Sequence, residues 1–308
     1  MSERTPPRCP PAVTPFSIRR RDCLGLMALA AAARAAETGV PQTLRVFPTG
    51  PTFEFRWAAL RLALSAAPPP WNIVKVHSAG EEAITQGRVE LMLRKGLIDV
   101  AGFGVTWPRI QTLRPIRVDL LKGLIGLRFL VVRREEVARL TTLSDDQIVH
   151  ALHYGTQQQW ADVSIMQANG MQLELASSAQ RLYPMLAAGR FDALSRGANE
   201  VLTELRANAE LAPRIAIEPA HALYYDYPIW LWVRRENEAL ARAIETGLQN
   251  VLRSGALREL FLELHKAEIE FVRRSRQRII RLSSAALPQT LEPPDTSWWW
   301  PPGTGPQR

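Results

Sequence analysis

Cysteine is nearly missing from this sequence: the 308 residues hold two, Cys9 and Cys23, both within the first 35. If that segment is a leader that is removed, the working chain has no disulfide, no thiolate nucleophile and no Cys-ligated metal. Histidine is also scarce, with His77, His150, His153, His221 and His265. Only His150 and His153 lie close in sequence. On the strand expected over 148–155, residues i and i+3 point to opposite faces, so they form no metal pair. There is no G-x-S-x-G elbow and no Walker loop. No cofactor and no metal are expected. Long apolar runs are lacking too. The run from Leu24 to Ala33 falls well short of the roughly 20 residues that span a bilayer.

That run has its own meaning. Arg19, Arg20 and Arg21 precede it, and Ala33-Arg34-Ala35 follows as an A-x-A cleavage pattern. Residues 1–35 are therefore expected to be a cleaved export signal, which makes the protein periplasmic. The alternative is a buried N-terminal helix. The paired arginines resemble a twin-arginine signal with Cys23 in place of the usual Phe, so the Tat and Sec routes both stay open. No small-residue lipobox precedes Cys23, which argues against a lipid anchor. The formal net charge of +8 includes +4 from this segment, leaving +4 for the rest. The basic balance is therefore modest, and nucleic acid is not an expected partner.

What remains is ample for a large core, with 46% hydrophobic and 22% charged residues, and its length favours two lobes. "QTLRVFP" (42–48) reads as a strand and "FRWAALRLALSAA" (55–67) as a helix. "WNIVKVHS" follows as a strand, "GEEAITQGRVELMLRKG" (80–96) as a helix and "LIDVAGFG" (97–104) as a strand. The alternation resumes with strands at 124–134, 148–155, 171–177 and 225–235, with helices between them and at 237–253 and 256–277. β-α-β-α-β order implies an α/β fold with parallel sheets flanked by helices.

An internal echo supports two similar halves. "MLRKGLIDVAGFG" (92–104) aligns without gaps on "MLAAGRFDALSRG" (185–197). Met92 meets Met185, Gly96 meets Gly189, Asp99 meets Asp192 and Gly104 meets Gly197. Each first glycine suits the left-handed end of a helix. Each aspartate opens a buried strand whose carboxyl end leads into a loop, the edge where open α/β sheets bind ligands.

These blocks, with "LRVFPTG", "GLIDVAGFGVTWPR", "WADVSIMQANG", "MLAAGRFDA" and "WVRRENEALARAIETGLQNVLRSGALRELF", resemble the bacterial extracellular solute-binding proteins of family 3 over about residues 42–265. The resemblance implies a two-lobed, type II Venus-flytrap fold. Lobe 1 would comprise 40–127 plus 232–282, and lobe 2 would comprise 128–231. Residues 283–308 would form a Pro/Trp-rich tail. Closing of the lobes over a ligand is then expected.

The resemblance also nominates site residues. Arg109 of "TWPR" stands where the family pairs an arginine with a ligand carboxylate, a role suited to a planar, permanently charged fork. A surface arginine after a turn is the other reading. Thr106 and the N–H groups of Gly102 and Gly104 would complete the anion cradle. Gly155-Thr156-Gln157 resembles the family's Gly-Thr-Thr turn at a helix start, where free N–H groups favour an anion. A plain N-cap by Thr156 would look the same. Trp107 and Trp160 would be apolar walls or core. In amino-acid receptors the loop after "RFDALSR" offers an aspartate to the ligand's ammonium, but here Gly197 or Arg196 occupies that place. Glu200 is the one acid near enough to substitute, and it reads equally well as a first-turn helix residue. The missing carboxylate points to a small polar or anionic solute held by Arg109 and Arg196.

The arginines of "FVRRSRQRIIRL" (271–282) read as a solvated helix face or as a surface for a partner or anionic lipid. The three tryptophans of "LEPPDTSWWWPPG" read as a strap over a lobe or as an exposed patch. The leading functional expectation is a monomeric periplasmic solute-binding protein serving an ABC permease. The alternatives are a clamshell paired with a sensor protein in the inner membrane, and a dehydratase-like enzyme with Glu200 as its acid/base group.

Overall fold

A computed structural model of the chain describes residues 41–47, 50–65, 70–76, 85–288 and 291–300. The expected leader and both cysteines lie outside the described residues. The chain opens with β1 (Gln42–Val46), α1 (Glu54–Leu64), β2 (Trp71–Lys75), α2 (Gln86–Arg94), β3 (Ala101–Gly104), α3 (Trp107–Thr112) and β4 (Leu113–Ile116). It continues through β5 (Leu127–Arg133), α4 (Asp145–His150), β6 (His153–Gln157), α5 (Val163–Ala168), β7 (Gln172–Ala176), α6 (Leu182–Ala187), β8 (Ala193–Gly197), α7 (Val201–Ala207) and β9 (Ile215–Tyr224). It ends with β10 (Ile229–Arg234), α8 (Glu238–Arg253), α9 (Ala256–Leu264), α10 (Lys266–Arg274) and β11 (Arg278–Arg281).

Two lobes result. In the first, parallel strands β1 and β2 join the sheet β3-β10-β4 through a parallel bridge between Val46 and Val100. In the second, six strands are ordered β11-β9-β5-β8-β6-β7. Pairing is parallel at β6-β7, β6-β8 and β9-β11, and antiparallel where β5, β9 and β10 carry the chain between lobes. The two crossings are tied together: Asp119 Oδ1 accepts from Ile229 N at 3.1 Å, and Leu120 N donates to Ile229 O at 3.0 Å.

The sequence echo is a structural repeat. Gly96 and Gly189 both adopt positive φ, 69° and 74°. Each ends its helix with the same bonds: Gly96 N to Leu93 O and Leu97 N to Met92 O, against Gly189 N to Leu186 O and Arg190 N to Met185 O. The aspartates match as well. Asp99 accepts Arg45 N at 2.8 Å and Asp192 accepts His153 N at 2.9 Å, while each returns its own N–H to the same residue's carbonyl. Both are scaffold groups that lock a first strand to a later one.

Three local expectations are corrected. Residues 148–150 end a helix, because Ser144 and Gln147 form a capping box that starts α4; the strand begins at His153. The ten-residue strand β9, unread in sequence, contains Pro219 and a register shift opposite β5. The arginine-rich run is not one helix. It leaves α10 at Arg274, where Ser275 Oγ bonds to Val272 O, and Arg278–Arg281 then adds a parallel edge strand beside β9. There Arg278 reaches Asp145 at 2.6 Å and His221 Nε2 at 3.1 Å. This piece of the range expected in lobe 1 thus belongs to the second sheet. The tail does strap back: Trp299 is 1% exposed, donates Nε1 to Lys122 O at 2.7 Å, and sits beside Trp298 on Phe261 and Trp300 on Tyr224.

Helix α8 lies against α1 so closely that a Cβ on Gly247 would fall 2.1 Å from Ala63 O. Backbone cannot give way as a side chain would. Gly247→Ala should therefore destabilise by about 1–3 kcal/mol through overpacking, despite alanine's better helix propensity of about 1 kcal/mol. Urea unfolding measures it, and a midpoint equal to or above wild type would refute the close packing.

Candidate functional site

Between the lobes lies a cleft of about 420 Å³. From the first lobe it is lined by Phe53, Arg56 and Gly104, from the second by Gln157, Trp160, Asp162, Arg196, Glu200 and Glu204, and at the crossing by Arg128 and Tyr227. Across its mouth Gly87 N donates to Gln159 Oε1 at 3.1 Å, a direct bond between lobes.

Arg56 is set by helical geometry. It shares the buried face of α1 with Leu60 and Ala63, four and seven residues on, so its stem is pinned among apolar side chains. It is 3% exposed. Nη1 donates to Gly102 O at 2.8 Å and the guanidinium lies 3.9 Å above the Phe53 ring. Nε is buried without a hydrogen-bond partner. Among the described residues no carboxylate comes within 4.0 Å of it. Burial, aided by the like charge of Arg109, pushes its pKa down to about 10; Glu200 and Tyr227 pull the other way. A guanidinium this short of partners is rare in a protein interior.

The second lobe is the opposite case, a closed network. Arg128, near the start of buried strand β5, donates to Asp162 Oδ2 at 2.9 Å, to Ser195 O at 2.7 Å and to Ile125 O at 3.2 Å. Arg196 grips Glu204 with two bonds of 2.6 and 2.5 Å, meets Glu200 at 3.1 Å, and covers Trp160 at 4.3 Å. Tyr225 and Tyr183 add hydroxyl donors to Asp162 and Glu204. Glu200 folds back so that its Oε2 accepts Gly197 N at 3.2 Å and lies 3.7 Å from Arg128. Burial pushes the Glu200 pKa up, but Arg196, Arg128, Arg56 and the Gly197 N–H outweigh it and hold the carboxyl below its ordinary range. A Cβ on Gly197 would sit 3.1 Å from that oxygen. Glu200 thus places a carboxylate beside the position where the aspartate is missing.

The sequence-nominated residues divide. Gly104, Gln157, Trp160, Arg196 and Glu200 line the cleft. Arg109 does not: it is consumed by Glu90 at 3.1 Å, Gly104 O at 2.8 Å and Gln86 at 3.3 Å, with its guanidinium over Phe103. It braces α2 against β3. Thr106 caps α3 by accepting Arg109 N. Gly102 makes room for Arg56, whose Cδ would lie 2.8 Å from an added Cβ. Residues 155–157 are not a helix start; they lie in β6, paired throughout with β7, and α5 begins only at Val163. Thr156 is buried with Oγ1 unpartnered, away from the lining. Trp107 is 53% exposed and faces outward. Arg56, Arg128, Asp162 and Tyr227 were not nominated. The signal for the two arginines was present: each is a charge on an otherwise buried apolar face.

No family model matches the sequence, and no curated protein matches it. Solved structures do match in fold. The periplasmic VFT2 domain of Bordetella pertussis BvgS is 15% identical, with a TM-score of 0.55 over 77% of this chain and 97% of that one. The chain spans 44% of the whole BvgS periplasmic domain. A mutant of ArgBP from T. maritima is 16% identical, with a TM-score of 0.53 over 77% and 98%. A structure described for glutathione import via GshT and the cystine ABC importer TcyBC of Streptococcus mutans is 11% identical, with a TM-score of 0.54 over 73% and 95%. The chain has the two-lobed, type II fold of periplasmic solute-binding proteins. Among the described residues no helix is long and apolar enough to cross a membrane.

Proposed function

We propose that this protein is an exported, periplasmic receptor that captures a small anionic solute in the interlobe cleft, with Arg56 as the anion-binding group. One observation carries the reading: Arg56 is buried at the cleft wall with Nε unpartnered and no carboxylate within 4.0 Å among the described residues. Burying a charge without a partner is costly, and a ligand carboxylate would relieve that cost. Nη1 is spent on Gly102 O and Nε is sealed by its surroundings, which leaves Nη2 as the donor open to a ligand oxygen. Arg128 and Arg196, by contrast, already have carboxylates. The anion-binding role thus passes from Arg109 to Arg56, and of the small polar or anionic solutes suggested by the sequence only the anionic ones are retained. Delivery to an ABC permease is the role we assign, because the fold and the export pattern suit it.

Thermal melting against a panel of carboxylates tests this, since a ligand that binds only the folded state raises its melting temperature. At least one monocarboxylate should raise it in the wild type. Arg56→Met should weaken that binding by about tenfold or more, and Arg56→Lys, which keeps the charge and loses the fork, should restore only part of it. Equal affinity in wild type and Arg56→Met would sink the proposal.

A further inference from the structure

We infer that the solute is a planar, ring-bearing monocarboxylate, an aromatic acid; the inference rests on the anion-binding reading of Arg56 and adds what the rest of the cleft recognises. Beyond Arg56, the charged groups of the lining are already paired, and five aromatic rings share it with neutral polar side chains such as Thr52, Thr85 and Ser178. Phe47, Phe53, Phe103, Trp160 and Tyr227 all face the cleft, while aromatic residues make up only 7% of the chain. The enrichment therefore belongs to the site rather than to the composition.

The placement of these rings strengthens the point. They come from both lobes and from the crossing, so a ligand closed in the cleft meets rings on more than one side. Phe53 lies directly against the Arg56 guanidinium at 3.9 Å, and Trp160 carries Arg196 at 4.3 Å. A carboxylate on the Arg56 edge thus has an aromatic ring beside it. Tyr227 packs so tightly on Gly104 that an added Cβ would lie 2.8 Å from its ring, which fixes the ring's position. Fixed flat walls favour a flat ligand, because stacked and edge-to-face rings attract beyond what the buried area supplies.

A single free guanidinium argues for one anionic group. Each of the three carboxylates in the lining, Asp162, Glu200 and Glu204, has an arginine within 4.0 Å. A second ligand carboxylate would find no cation to itself and would face this acidic cluster.

The test compares benzoate with cyclohexanecarboxylate, which has the same carbon skeleton without planarity, by isothermal titration of the purified chain. Phthalate, a dianion, and hexanoate, a flexible acid, complete the set. Benzoate should bind about tenfold more tightly than cyclohexanecarboxylate, and phthalate more weakly than benzoate. Phe53→Leu should erase most of the preference for benzoate, and Trp160→Leu serves as the second variant should the first perturb folding. Equal affinity for benzoate and cyclohexanecarboxylate would overturn the inference and leave Arg56 as an anion site. Preferential binding of phthalate would overturn the monocarboxylate assignment alone. If none of the four acids binds, or if Arg56→Met leaves benzoate binding unchanged, the anion-binding reading falls and this inference with it.

Discussion

Arg128→Met should destabilise the protein by about 3–5 kcal/mol, the range for breaking a buried ion pair from one side. Arg128 is 1% exposed and spends its donors on Asp162, Ser195 and Ile125. Its removal leaves Asp162 with Tyr225 as the remaining donor, while Oδ1 of the same carboxylate is already buried without one. Glu200 would lose the second of its flanking cations. The penalty comes chiefly from stranding carboxylates in a dry interior, not from the worth of the pair itself. Removing both charges tests that distinction: Arg128→Met with Asp162→Leu should recover most of the loss, since apolar pairs replace buried ion pairs at little cost. Urea unfolding of the two single variants and the double closes the cycle. A single-variant loss below about 1 kcal/mol would mean that water reaches this network.

The position of that network explains what the sequence could and could not reveal. Elements were legible where local rules act alone. Gly96 and Gly189 end their helices by the same left-handed turn, and Asp99 and Asp192 bind their first strands alike, so the echo was readable as a repeat. The α/β class followed from the alternation of strand and helix. The site was less legible, because an arginine's role depends on which carboxylates tertiary structure brings near it. Arg109 has the right motif and is spent on Glu90 and Gln86, nineteen and twenty-three residues away. Arg56 has no motif, yet it stands on the apolar face of α1, where an unpaired charge has few structural uses. The arginine-rich run misled for a related reason. Its helical pattern was locally sound, but the open edge of β9 captures Arg278–Arg281 as a strand. A free sheet edge lies far away in sequence and outweighs local propensity.

A pH profile should separate a second buried group from all of these. His265 sits between Phe55 and Phe261, with ring centroids 4.9 and 4.8 Å away, and its Nε2 has no hydrogen-bond partner. Burial, helped by the charge of Arg56, pushes its pKa from the ordinary 6.5 down to about 4. Between those values the unfolded chain takes up a proton that the folded chain refuses. Stability therefore falls as pH drops below about 6.5, and the His265 share reaches about 3 kcal/mol near pH 4. Asp119 works in the opposite direction. Its pKa is pushed up to about 6 by burial, against three backbone N–H donors and Lys122, so the folded chain binds a proton first and gains stability as pH falls through that value. The two slopes offset one another in the wild type, and the difference between wild type and His265→Phe isolates the histidine. That difference should be flat above pH 6.5 and should grow to about 3 kcal/mol in favour of the variant near pH 4. A difference that stays constant from pH 7 to pH 4 would mean that His265 takes up its proton as readily in the folded protein as in water. The pocket between Phe55 and Phe261 would then not be the dry, cation-repelling site that the Arg56 environment implies.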